Sequence, residues 1–199
     1  MFISTLDIFK IGLGPSSSHT MGPMVAANRF RESVTNFIHS HSTAGPYRLH
    51  CTLKGSLAYT GKGHATDTAI LLGAHGYTPI LMADLNVCHL VERFQDKQFI
   101  YDDHRVSFDM KKDIAFDLGP ALDQHPNGMI FTLFDEHNKA VLEAIYFSIG
   151  GGFLSEHETI DQVKAPIRTR KKADHPHPFD SAKSMLEMAK ATEKSIAEL

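Results

Sequence analysis

Two short stretches hold the residue types that carry acid, base and anion chemistry. The first is Gly12-Leu13-Gly14-Pro15-Ser16-Ser17-Ser18-His19-Thr20, directly ahead of a helical stretch. A helix start offers unpaired N–H groups and a partial positive charge, which suit a carboxylate or a phosphate. Three adjacent serines add hydroxyls, the glycines let backbone approach a ligand, and His19 can exchange a proton near neutral pH. The same residues also furnish an ordinary capped helix in a serine-rich loop. They are not a phosphate loop of the Walker type, because the glycine-lysine-serine ending is missing.

The second stretch is Thr60-Gly61-Lys62-Gly63-His64, a glycine-rich turn between a strand and a helix. Lys62 and His64 are its polar groups. Asp67 either orients the His64 imidazole or sits in a first helical turn, where negative charge is favoured. Both stretches feed a helix start and both contain a histidine, so they can converge on one anionic ligand. Gly150-Gly151-Gly152 is either a third wall of that site or a flexible exit from a hairpin. His39 and His41, and His175 and His177, read as surface residues, since a metal needs several ligands converging with set geometry. Cys51 and Cys88 read as small core residues, and no metal site is expected within this chain.

The elements that must position these groups follow from periodicity. Leu6, Ile8, Phe9 and Ile11 make a short apolar opening segment, broken at Gly12-Leu13-Gly14-Pro15. Met24, Ala27, Phe30, Val34, Phe37 and Ile38 recur at helical spacing, with Pro23 tolerated in the first turn. Tyr47, Leu49, Cys51 and Leu53 alternate as in a half-buried strand. A helix is expected over Thr66 to His75, stopped by Gly76, and another over Asp84 to Lys97 with Leu85, Cys88, Leu90, Val91 and Phe94 facing inward. Val106 to Phe108 and Ile114 to Leu118 read as short strands. Met129 to Phe134 and Val141 to Ile149 read as a hairpin across the polar turn Asp135 to Lys139. A charged, proline-containing connector follows, then a helix from Ser181 to about Leu199 carrying Met185, Leu186, Ala189 and Ile196. The chain stops inside that helix without a finishing signal, as a truncated polypeptide does. The fold class expected is α+β, a mixed sheet with helices mainly on one face.

At 199 residues, net charge −3 and 42% hydrophobic content, the chain supports one core, or one domain and a tail. That composition excludes a disordered chain and a strongly basic nucleic-acid binder. No apolar run approaches the ~20 residues of a membrane span, and the opening residues lack the regions of a signal peptide, which places the protein in the cytoplasm. Two cysteines are too few for a disulfide framework.

Asp7 to Lys10 leading into Gly12–Thr20 and Gly22-Pro23 resembles the opening of the iron–sulfur-dependent L-serine dehydratases (L-serine deaminases). The resemblance continues through Gly55–His64, Thr66, Asp67 and Leu71-Leu72-Gly73. It returns at His125-Pro126-Asn127-Gly128-Met129, at Tyr146–Phe153 and at Pro176–Ser181. The blocks fall in order over nearly the whole chain. That family has a β domain with these blocks and an α domain with the cluster cysteines, fused or as separate chains. The resemblance implies a β domain over 1–155, a connector over 156–180 and a linker helix over 181–199 reaching toward an α domain or a second copy. It implies conversion of L-serine to pyruvate and ammonia, with a 4Fe–4S cluster whose ligands lie outside this chain and whose iron acts as a Lewis acid on the hydroxyl. His64, with His19 next, is then the catalytic candidate for proton transfer. Ser16, Ser17, Ser18, Thr20, Thr60, Gly61, Lys62, Gly63 and Asp67 are the substrate-binding candidates. The expected partners are L-serine, the α domain and further copies of the chain in a homo-oligomer. The β part is also similar to the allosteric substrate-binding domain of some phosphoglycerate dehydrogenases, which implies the alternative of a non-catalytic domain that binds L-serine and regulates a partner.

Overall fold

The computed structural model describes residues 12–41, 45–94, 99–101, 104–156, 160 and 181–198. The opening apolar segment and nearly all of the charged connector lie outside the described residues. Contacts divide the chain into a unit over 2–160 and a smaller one over 161–199 together with Met1.

In the larger unit a single π-helical turn, Ser17–Met21, runs straight into helix α1, Gly22–Ser40. Ser16 caps the turn, its hydroxyl accepting from the His19 N–H, and Pro23 occupies the first turn of α1 as its fixed φ allows. Strand β1, Tyr47–Gly55, leads into the short helix α2, Ser56–Thr60, then a 3-10 turn over Gly61–His64 and helix α3, Thr66–Ala74. Beyond a second 3-10 turn, Ile80–Met82, lie helix α4, Val87–Phe94, and strands β2, Phe99–Tyr101, and β3, His104–Ser107. Strands β4, Ile114–Asp117, β5, Asn127–Phe134, β6, Ala140–Gly150, and β7, Phe153–Glu156, complete the unit. The smaller unit holds helix α5, Ala182–Ala191.

The strands form a seven-stranded mixed sheet in the order β2-β3-β1-β5-β6-β7, with β4 also paired to β1. β3 and β4 both run parallel to β1 and follow one another along the same edge, Tyr47 facing Val106 and Cys51 facing Ile114. The turn between them is pinned by Asp113, which is buried. Its carboxylate accepts from Arg48 Nη1 at 3.2 Å and from the Asp109 N–H at 2.7 Å. β5 and β6 form the hairpin expected from the two apolar runs.

Alternation along β1 puts Leu49, Cys51 and Leu53 on one face, opposite Leu133, Phe131 and Met129 of β5. Helices α1 and α3 cover that face. Phe30 of α1 and Phe131 of β5 lie with ring centroids 5.4 Å apart in the middle of the core. This is the α+β arrangement expected from the sequence.

Three elements depart from the sequence reading. Helix α4 begins at Val87 because the Asn86 side chain caps it, accepting from the His89 N–H. It is an outer helix whose stripe of Val87, Leu90 and Phe94 packs against a small cluster around Met24, Leu72 and Met82. Cys88 falls off that stripe and is exposed, and so is Leu85 ahead of the helix. Gly150-Gly151-Gly152 is no loose exit: with φ of 92°, 61° and 74° it turns the chain into β7, which pairs antiparallel with β6. The last helix, capped by Ser181, ends at Ala191, and the chain turns at Glu193 with φ 53° before a 3-10 turn at Ile196–Glu198.

Candidate active site

The two glycine and serine turns meet. The His19 and His64 rings lie with centroids 5.0 Å apart, tilted by 43°. Two threonines tie the segments together. Thr20 Oγ1 donates to the His64 carbonyl at 2.8 Å, and Thr66 Oγ1 donates to the His19 carbonyl. Both threonines are fully buried, so each bond forms away from competing water. The π-helical turn supplies the geometry on one side. Such single turns put an extra residue into the ladder and recur at functional sites.

His19 is held at both ring nitrogens, Nδ1 against Ser18 Oγ at 2.9 Å and Nε2 against Ser56 Oγ at 3.0 Å. Burial, and then the charge of the neighbouring His64, lower its pKa, against an opposing hydrogen bond to the Ser56 backbone. A neutral His19 has one donor and one acceptor nitrogen, and the two serine hydroxyls can satisfy either tautomer. Ser56 reaches the ring because the chain turns sharply out of β1. Gly55 takes φ 57°, a Cβ there would lie 2.3 Å from the Pro126 carbonyl oxygen, and the Ser56 N–H donates to that same oxygen.

His64 is bound differently. Its Nδ1 meets the Thr60 carbonyl at 2.9 Å, and its Nε2 makes no hydrogen bond among the described residues. An Nδ1 fixed by a carbonyl sets the tautomer and leaves the other nitrogen as an acceptor. His64 thus keeps one ring nitrogen unengaged among the described residues, whereas both nitrogens of His19 are engaged.

The other candidates fall around this pair. Ser16 Oγ accepts from the His19 N–H at 3.1 Å and lies 3.4 Å from Ser18 Oγ. Ser17 Oγ accepts from the Gly151 N–H at 3.2 Å, which brings the triple-glycine turn against the serine turn. Thr60 Oγ1 donates to the Ser56 carbonyl and Gly61 is buried. Lys62 is exposed, its Nζ 5.5 Å from the Phe116 ring centroid, and a Cβ on Gly63 would meet open space. Asp67 takes the helix-start option: it lies in the first turn of α3, and Oδ1 accepts from the Thr68 N–H.

Four positioning residues stand outside the candidates read from the sequence. Ser56 and Thr66 act through the bonds already given. Asn127 Nδ2 donates to the Ser148 carbonyl at 3.0 Å, fixing the end of β6. Ser148 is fully buried, and its Oγ is the one buried side-chain polar atom without a partner among the described residues. It packs directly on Gly22 at the start of α1, where a Cβ would lie 2.0 Å from Ser148 Oγ. A lone serine inside the apolar run Ile145–Ile149 was the available signal.

No three His, Cys, Asp or Glu side chains converge to hold a metal among the described residues. Cys51 is buried on β1, where burial holds its thiol protonated, and Cys88 is exposed on α4. This donor set does not fit an iron–sulfur cluster. No helix among the described residues is long and apolar enough to cross a membrane.

The sheet thus carries two histidine turns locked together ahead of helix α1. Residues 4–159 match the model of the serine dehydratase beta chain, and the chain belongs to that family. It is 40% identical to an L-serine dehydratase of Helicobacter pylori over 198 residues, 98% of this chain and 42% of the relative. Similarity to L-serine dehydratase TdcG of Escherichia coli K12 is 36% over 200 residues, covering 99% and 42%. Similarity to an L-serine dehydratase of Streptomyces coelicolor is 34% over 203 residues, covering 100% and 43%. The chain therefore spans about two fifths of the length of the curated relatives it matches.

Proposed function

We propose that this chain is the β domain of an L-serine ammonia-lyase, which converts L-serine to pyruvate and ammonia together with an α domain outside it. The β domain covers 1–155, the connector 156–180, and the linker helix 181–199 reaches toward the α domain. The 4Fe–4S cluster of the complete enzyme takes its ligands from that domain. The complete enzyme is cytoplasmic and homo-oligomeric.

Elimination breaks a Cα–H bond and the Cβ–O bond of serine and forms aminoacrylate and water. The enamine then tautomerises to an imine, which water hydrolyses to pyruvate and ammonia. This chain's share is to hold the acid and move the proton. The Ser16-Ser17-Ser18 turn and the positive end of α1 receive the substrate carboxylate. His64 Nε2, with Nδ1 held by the Thr60 carbonyl, takes the Cα proton as the general base. His19 orients the substrate, and Lys62 adds positive potential. Thr60, Gly61 and Gly63 form the second wall, while Thr20 and Asp67 support the turns.

The observation that carries this reading is the pairing of His19, occupied at both nitrogens, with His64, unoccupied at Nε2, 5.0 Å apart between ring centroids. The test is anaerobic assay of the complete, cluster-loaded enzyme with L-serine, following pyruvate and ammonia in equal amounts. Calorimetric binding of L-serine without turnover would instead favour a regulatory domain.

A further inference from the structure

We propose that the rim formed by Tyr59 and Leu118 is the surface on which the α domain docks. The inference rests on the reading above that this chain works with a second domain. Both side chains stand in solvent, Tyr59 67% and Leu118 58% exposed. The phenol is not loose. Tyr59 Oη donates to the Leu118 main-chain carbonyl at 2.7 Å, which fixes the ring beside the leucine as an apolar ledge. A ledge already fixed loses less conformational entropy on docking, and tyrosine is among the residues that dominate interface energies.

The ledge is continuous with the site. Tyr59 lies on α2 between Ser56, which holds His19, and Thr60, whose carbonyl holds His64. Leu118 follows β4, where Phe116 lies under Lys62 and within 3.3 Å of a Cβ placed on Gly61. Beside the ledge, His64 Nε2 has no partner among the described residues and Gly63 faces open space. Proton abstraction from a weakly acidic carbon gains from exclusion of water, which a cover over this edge provides. The cover is argued from length: the relatives carry more than half of their sequence beyond the region this chain matches. A second exposed apolar group, Ile80, Leu81 and Leu85, lies on a turn that makes none of the site's hydrogen bonds.

Hydroxyl-radical footprinting of this chain alone and of the complete enzyme tests the assignment side chain by side chain. The core of the larger unit is built within this chain, so the 199-residue polypeptide is a fair reference. Oxidation of Tyr59 and Leu118 should fall roughly tenfold in the complete enzyme, as expected for residues buried in an interface core. Equal oxidation in both samples overturns the proposal, and so does protection of Ile80 and Leu81 in place of Tyr59 and Leu118. Turnover of L-serine on the same samples separates the two readings. Turnover with an unprotected ledge leaves the function standing and removes the docking surface. Protection without turnover keeps the surface and removes the function.

Discussion

Thr20 and Thr66 exchange hydrogen bonds across the two histidine turns: Thr20 donates to the carbonyl of His64, and Thr66 to the carbonyl of His19. Each threonine therefore holds the partner histidine rather than its own. Segments some 45 residues apart in the chain become one rigid unit, and a rigid frame is what proton transfer between fixed groups needs.

Thr66→Val keeps shape and burial but leaves the His19 carbonyl without its donor. Stability should fall by about 1–3 kcal/mol, the cost of an unsatisfied buried polar group. Urea unfolding of the chain measures it, and a change below about 0.5 kcal/mol would mean the cross-link carries little.

Gly22 and Ser148 should couple. Gly22→Ala drives a methyl into Ser148 Oγ and should cost about 1–3 kcal/mol. Ser148→Gly removes the obstructing atoms, so the double variant should recover part of that loss. A double-mutant cycle by urea unfolding reads the coupling directly, and simple additivity would show that the contact is not the cause.

His19 should titrate below the ordinary histidine value of 6.5, chiefly because burial disfavours its charged form. His50 is lowered for the same first reason, with Arg48 adding to the shift and Asp113 opposing it. Between the lowered folded values and 6.5 the unfolded chain binds more protons than the folded one. Stability then rises with pH through that window and is lost as pH falls through it. NMR titration of the imidazole signals reports the midpoints, and a His19 midpoint at or above 6.5 would contradict the packing described.

The two thiols should differ. Cys88 should react with a thiol reagent in the folded protein and Cys51 only on unfolding, since burial keeps its thiolate from forming. One thiol should titrate under native conditions and two in denaturant.

Local pattern made much of the frame legible. The alternation Tyr47-Leu49-Cys51-Leu53 and the helical spacing from Met24 to Ile38 reflect one buried face each, and both elements are where those spacings put them. Helix α4 starts at Val87 and not at Asp84, and its Cys88 faces outward, because apolar residues in an outer helix need not all be covered. The glycine run after β6 looked like an ending because β7, with Phe153 and Leu154 in four residues, is too short to show alternation. At the site, residue types marked His19, His64 and the serines. The bonds that hold them were not legible, because Ser56, Thr66 and Ser148 matter through neighbours far away in sequence.

In the proposed reaction His64 removes the proton from a serine held at the start of α1. The most direct measurement is kcat for L-serine in the complete enzyme carrying His64→Ala, with cluster content and melting temperature checked against wild type. A loss of roughly 10²–10⁴-fold in kcat is expected for removal of a general base. Turnover within about twofold of wild type would contradict the account, since a factor that small is far below what such a group contributes.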